Sequence, residues 1–120
     1  MLTFNLPWPD SSLSPNRMKG LHWGAVHAAK KAAREEAFTL TKIAKKGYTA
    51  PQGEIPLQIV FVQPNKTRMD LDNLLSSMKS ALDGVALALR IDDVVFMPIT
   101  ISREYGSKPG HVRITIGETK

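Results

Sequence analysis

Residues 69–95 read MDLDNLLSSMKSALDGVALALRIDDVV. Leu71, Leu74, Leu75, Met78, Leu82, Val85 and Leu89 recur at intervals of three and four, the spacing of a helix with one apolar face. The pattern predicts a helix over 71–89. Asp72, Ser76, Lys79 and Asp83 follow at four, three and four along one edge of its polar side. Asp70 then falls at the junction into the helix, where it or Asp72 can cap the free N–H groups. The stretch holds five of the chain's eleven acids against Lys79 and Arg90, a balance of −3. The rest of a chain whose net charge is +5 therefore carries +8. An acidic focus sits in a basic frame.

On the N-terminal side, Ile55 to Val62 (IPLQIVFV) is an apolar run rich in β-branched residues, expected as an interior strand with Pro56 at its beginning. Gln63 to Arg68 (QPNKTR) breaks it and sets Lys66 and Arg68 directly before the acids. Further back, Val26, Ala29, Ala33, Ala37, Leu40 and Ala44 mark a helix from about Trp23 to Lys46, ended by Gly47. Its alanine stripe suits close packing on a sheet. Lys30, Lys31 and Arg34 lie off that stripe, free to meet phosphate, whereas Lys42, Lys45 and Lys46 complement the helix dipole without any ligand. Leu2 to Leu6 alternates as a half-buried strand. A Pro-rich loop follows, carrying Arg17, Lys19 and His22. Beyond the central stretch, Val94 to Ile101 and His111 to Ile116 both alternate around Gly106 to Gly110 (GSKPG), which reads as a hairpin. Pro98 implies an edge position or a bulge.

The order strand, helix, strand, helix, strand, strand predicts an α+β fold. It is a mixed four-stranded sheet with two helices, one domain over 1–120. No apolar run approaches the roughly 20 residues that span a bilayer, so no membrane role is expected. The start lacks a secretory pattern, and there is no cysteine for disulfides or thiolate zinc. A cytoplasmic address fits both. A pI near 9.7 makes a polyanion partner plausible.

Two accounts of the acids stand side by side. In one, they cap the helix and form a polar turn at Asp92 and Asp93. In the other, Asp70, Asp72 and Asp93 converge as oxygen ligands of a hard divalent cation, Mg²⁺ or Mn²⁺. A helix of roughly 18 residues is about 27 Å long. Asp93 can thus approach Asp70 only if the chain after the helix returns along it. His22, His27 and His111 are not spaced as ligands of one metal; Trp8 and Trp23 could stack on exposed bases at a junction centre, but both are expected to pack.

MDLDNLLSSMKSALDGVALALRIDD resembles the signature region of the RusA family of Holliday junction resolvases, and LPWPDSSLSPN is similar to that family's first strand and Pro-rich loop. The resemblance covers effectively the whole chain. It implies a phage-type homodimer that binds four-way DNA junctions and nicks two strands symmetrically with Mg²⁺. By position, Asp70, Asp72 and Asp93 would be metal ligands, and Asn73 would orient the first acid group. The family's lysine three residues after the Asn is replaced here by Ser76. Lys79, three residues on, is a substitute cation or simply the partner of Asp83. Val94, Val95 and Phe96 stand where a polar residue often follows the paired acids. The expected function is a Mg²⁺-dependent junction-resolving endodeoxyribonuclease in DNA recombination and repair, with Arg17, Lys19, Lys30, Lys31, Arg34, Lys66 and Arg68 on DNA. The rivals are a non-catalytic basic nucleic-acid-binding protein, or a flap or single-strand nuclease without junction preference.

Overall fold

The apolar run at 55–62 becomes the hub of the sheet. In the computed structural model, which describes residues 1–18, 20 and 22–117, β2 (Ile55–Gln63) has a strand on either side. The sheet order is β1-β4-β2-β3, with β1 (Leu2–Pro7), β3 (Phe96–Tyr105) and β4 (His111–Ile116). β4 is antiparallel to both β1 and β2, while β2 and β3 are parallel. The α+β class and the mixed four-stranded sheet are as the sequence predicts.

Leu2 and Leu6 of β1, Val112, Ile114 and Ile116 of β4, and Leu57, Ile59 and Phe61 of β2 stand in cross-strand register on one face. All of these are buried and belong to one apolar cluster. Two long helical segments cover that face. α2 (Trp23–Ala44) contributes Ala37, and the central helix contributes Leu74, Met78, Leu82, Val85 and Leu89. Burying side chains of this size stabilises by about 2 kcal/mol each, so a chain of this length closes a core without disulfides. No helix among the described residues is long and apolar enough to cross a membrane.

Two expectations are corrected. The first concerns the hairpin. β3 and β4 are not neighbours; β2 lies between them. The chain leaves β3 at Gly106, whose N–H donates to the Gln63 carbonyl (2.8 Å), and crosses the end of β2 to enter β4 on the far side. The burial explains the choice. Val112, Ile114 and Ile116 are wholly inaccessible and need strands on both sides, whereas β3 carries Pro98, which has no N–H to donate. β3 is therefore an edge strand, and its register with β2 shifts between Ile55 and Leu57, so Pro98 meets both of the expectations placed on it.

The second correction concerns the helices. The predicted helix over 71–89 is two segments, α3 (Leu71–Ser77) and α4 (Lys79–Leu89), separated at Met78. The Ser77 hydroxyl donates to the Asn73 carbonyl (2.9 Å), competing for the acceptor one turn back, a known cause of helix bending. A short α1 (Pro15–Met18) and 3-10 turns at Ser11–Leu13 and Asp93–Val95 add to the predicted pair of helices. α4 ends with Arg90 in the left-handed region (φ 60°), and Ile91 N–H reaches back to the Ala86 carbonyl (3.0 Å), closing the last turn.

Candidate acidic site and nucleic-acid interface

Gln63, the last residue of β2, sets the approach to the acids. It is fully buried, and its amide donates to the carbonyls of Thr67 (2.9 Å) and Asn65 (3.3 Å). Its oxygen accepts from Arg103 (3.0 Å) on β3. Asn65 adds a local turn by accepting from Thr67 N–H (2.9 Å). A buried amide with every contact made fixes the loop, because leaving any of these groups unpaired would cost about 1–3 kcal/mol. The loop delivers Asp70 to the N-terminus of α3, where its Oδ1 accepts from Asp72 N–H (2.9 Å). The capping account holds for Asp70. Asp70 and Asp72 are both exposed, and Asn73 is half-buried beside them.

A notch of about 330 Å³ opens at this junction. Asp70, Asn73 and Arg68 form one wall; Trp8, Asp10, Asn16 and Arg17 form the other. The Pro-rich opening loop and the acidic junction, far apart in the chain, thus meet. Asp10 is held below the ordinary carboxylate range, first by the Ser12 backbone N–H, then by the Ser12 side chain, with Arg17 adding to the effect. Trp8 packs edge-on to Phe61 (6.1 Å, 82°), as expected of it.

Ser77 forms the rim shared by this notch and a second cleft of about 550 Å³ between α2 and the α3–α4 pair. Lys30, Lys31 and Arg34 line it from α2, and Ser76, Lys79, Ser80 and Asp83 from the other side. Lys79 therefore joins the three cations that the α2 pattern singled out. Among the described residues the only ion pair is Glu104 with Arg113 (3.2 Å), so Lys79 is not paired with Asp83. Four cations, none of them ion-paired among the described residues, stand against the single carboxylate of Asp83 around one cleft and attract a polyanion. Lys66 and Arg68 are exposed on the loop beside the notch, while Lys19 lies outside the described residues.

Asp93 goes elsewhere. It opens the 3-10 turn before β3, with Asp92 capping that turn by accepting from Val94 N–H (3.1 Å). Its carboxyl stands against Asp83, and this contact, with desolvation and Asp92 behind it, raises its pKa above the ordinary value. Two acid neighbours disfavour its ionised form, and a cation or a basic side chain placed there would relieve the repulsion. Asp83 lies eleven residues after Asp72, about 16 Å along a helix. The β2–β3 register puts Phe96 beside Ile55 and Tyr105 beside Gln63. The start of β3 is thus at the opposite end of the sheet from Asp70. Among the described residues, no three His, Asp or Glu side chains are grouped closely enough to hold a metal. The three-carboxylate set implied by the resemblance does not fit a cation within one chain.

An uncharacterized protein of Xylella fastidiosa is 36% identical to this chain over 118 residues, which is 97% of this chain and 76% of that protein. The chain belongs to that protein's family. No family model matches the chain.

Some functional candidates carried no clear sequence signal. Gln63 is a polar residue closing an apolar run, which reads as the end of a strand and gives no hint of three hydrogen bonds. Asp83 reads as a helix-surface partner for Lys79. Trp23, expected to pack, is 76% exposed, its ring stacked on His27. His22 caps α2, accepting from Gly24 N–H (3.0 Å).

Proposed function

We propose that the protein is a structure-selective DNA endonuclease of the RusA type, resolving four-way junctions as a homodimer in recombination and repair, with Mg²⁺ as its cation. A cytoplasmic address goes with this reading. The observation that carries it is the joining of the two stretches on which the resemblance rests, the Pro-rich loop and the acidic junction through its Asp70 and Asn73, in one notch that adjoins a cleft of unpaired cations. Lys30, Lys31, Arg34 and Lys79 hold backbone phosphates, and Arg17, Lys66 and Arg68 extend that contact past the acids.

The distant Asp93 is accommodated by the second copy. β3 is an edge strand whose outer side is unpaired, and Met97, Ile99 and Tyr105 are half exposed along it. A dyad that pairs β3 antiparallel with its own copy sets the start of one β3 beside the end of the other. Asp92 and Asp93 of one copy then meet Lys66 and Arg68 of the other beside Asp70.

Changing Asp70 or Asp72 to Asn should lower cutting of a labelled four-way junction in Mg²⁺ by at least about a hundredfold while junction binding is retained. Wild-type cutting by both variants would reject the assignment. Removing one of Lys30, Lys31, Arg34 or Lys79 should weaken binding to all sequences alike and flatten the dependence of log K on log salt by about one unit each. An unchanged salt slope in all four would place the phosphate track elsewhere.

The separation of the acids within one chain favours a second reading, a basic nucleic-acid-binding protein without catalysis. It predicts salt-sensitive binding with no product on a gel at any Mg²⁺ concentration. Junction, flap, duplex and single-stranded substrates run side by side separate these readings from a nuclease that lacks junction preference.

A further inference from the structure

An indole open to solvent is an unfavourable use of the most apolar-area-rich side chain, and Trp23 is 76% exposed. It is not loose. Its ring lies on the His27 imidazole, centroids 5.2 Å apart and planes within 12°, so one face is backed while most of the indole stays exposed. The i, i+4 spacing on α2 creates that stack. His27 also lines the cationic cleft, and the same helix carries on to Lys30, Lys31 and Arg34. Trp23, His27, Lys30 or Lys31, and Arg34 thus form one stripe, aromatic at the N-terminal end and cationic beyond it.

We propose that Trp23, backed by His27, is a stacking platform for an unpaired nucleobase whose flanking phosphates lie in the cleft of Lys30, Lys31, Arg34 and Lys79. The ligand class is single-stranded nucleic acid, or the unpaired bases of a branched one. This rests on the nucleic-acid reading above and adds to it a base-contacting site. A flat π-face backed by a second ring accepts any base, so recognition is tolerant of sequence. The adjoining cations hold the backbone that carries the base. Trp8, packed edge-on to Phe61, has no such role.

The test compares two labelled oligonucleotides of equal length and equal phosphate count, one of thymidines and one of abasic spacers, by fluorescence anisotropy. Wild-type protein is expected to bind the thymidine strand about tenfold more tightly than the abasic one. Trp23→Ala should erase that preference and leave abasic and duplex binding unchanged, and Trp23→Phe should keep most of it. An equal loss on all ligands in Trp23→Ala would mark a structural role and overturn the platform. So would a preference that survives the substitution, or a change in the free protein's mass by light scattering, which would assign the indole to a protein contact. Failure of wild type to bind either strand at low salt would instead overturn the nucleic-acid reading itself, and the platform with it.

Discussion

Mixing Asp70→Asn protein with Asp93→Asn protein is expected to restore about a quarter of the wild-type junction cutting that each variant lacks alone, because half the dimers are mixed and each mixed dimer keeps one whole site of two. The expectation follows from where the chain puts its acids. Asp70 caps α3 at the end of β2, and Asp93 lies with Asp83 beyond the start of β3. If a site drew all three carboxylates from one chain, the mixture would contain no intact site and would stay inactive. If each site takes Asp70 and Asp72 from one copy and Asp93 from the other, the mixed dimer has one. In a dimer that pairs β3 with its own copy, Pro98 would confine the ladder to Ile99–Tyr105, whose middle is Ser102. The chain has no cysteine, so Ser102→Cys is a clean probe. Under oxidation it should give a disulfide-linked dimer, a readout independent of cutting. A mixture that stays inactive while wild type cuts, together with no crosslink, would reject the shared site and leave Asp93 as a turn residue.

The fold and the placing of the acids are only partly legible in the sequence, and the reasons differ from residue to residue. Period-two alternation identifies β3 and β4 as strands because it reports two faces of a pleat. It says nothing of which strand lies alongside. The turn-rich GSKPG segment fits a hairpin as well as it fits a crossing under β2. What decides the matter is that Val112, Ile114 and Ile116 are all wholly buried while Met97 and Ile99 of β3 are not. Pro98 carried the one usable hint, since a residue without an N–H belongs at an edge. The bend at Met78 was hidden for a different reason. The apolar spacing passes unbroken from Leu75 through Met78 to Leu82, and only the hydroxyl of Ser77 turning onto Asn73 interrupts the ladder. For the acids, sequence identified the residues and offered both capping and convergence. The structure pairs Asp70 with Asp72 N–H and pairs Asp93 with Asp83, a tertiary contact that no spacing encodes. Lys79 likewise looked toward Asp83 along its own helix, yet it shares a cleft with cations forty-odd positions away.

Gly84→Ala is expected to destabilise the protein by about 2 kcal/mol, the reverse of what this change does in an exposed helix, where it gains roughly 1 kcal/mol. Gly84 is on α4 at its crossing with α2. A Cβ placed there would overlap the Arg34 carbonyl oxygen and lie 3.0 Å from its carbon and 3.1 Å from Phe38 N. These are backbone atoms of a continuous helix and cannot swing aside as a side chain tip would. One helix must move off the other, and the contact lies beside Ala37 and Val85 in the core. For a chain of this size the thermal midpoint should fall by roughly 10 °C. The same displacement reaches the phosphate track, because Arg34, whose carbonyl meets Gly84, is one wall of the cleft and Lys79 is on the other. Binding to an abasic strand should therefore weaken in Gly84→Ala even well below its unfolding temperature. A midpoint equal to or above wild type would show that α2 and α4 are not in backbone contact, and the cleft drawn between them would lose its geometry.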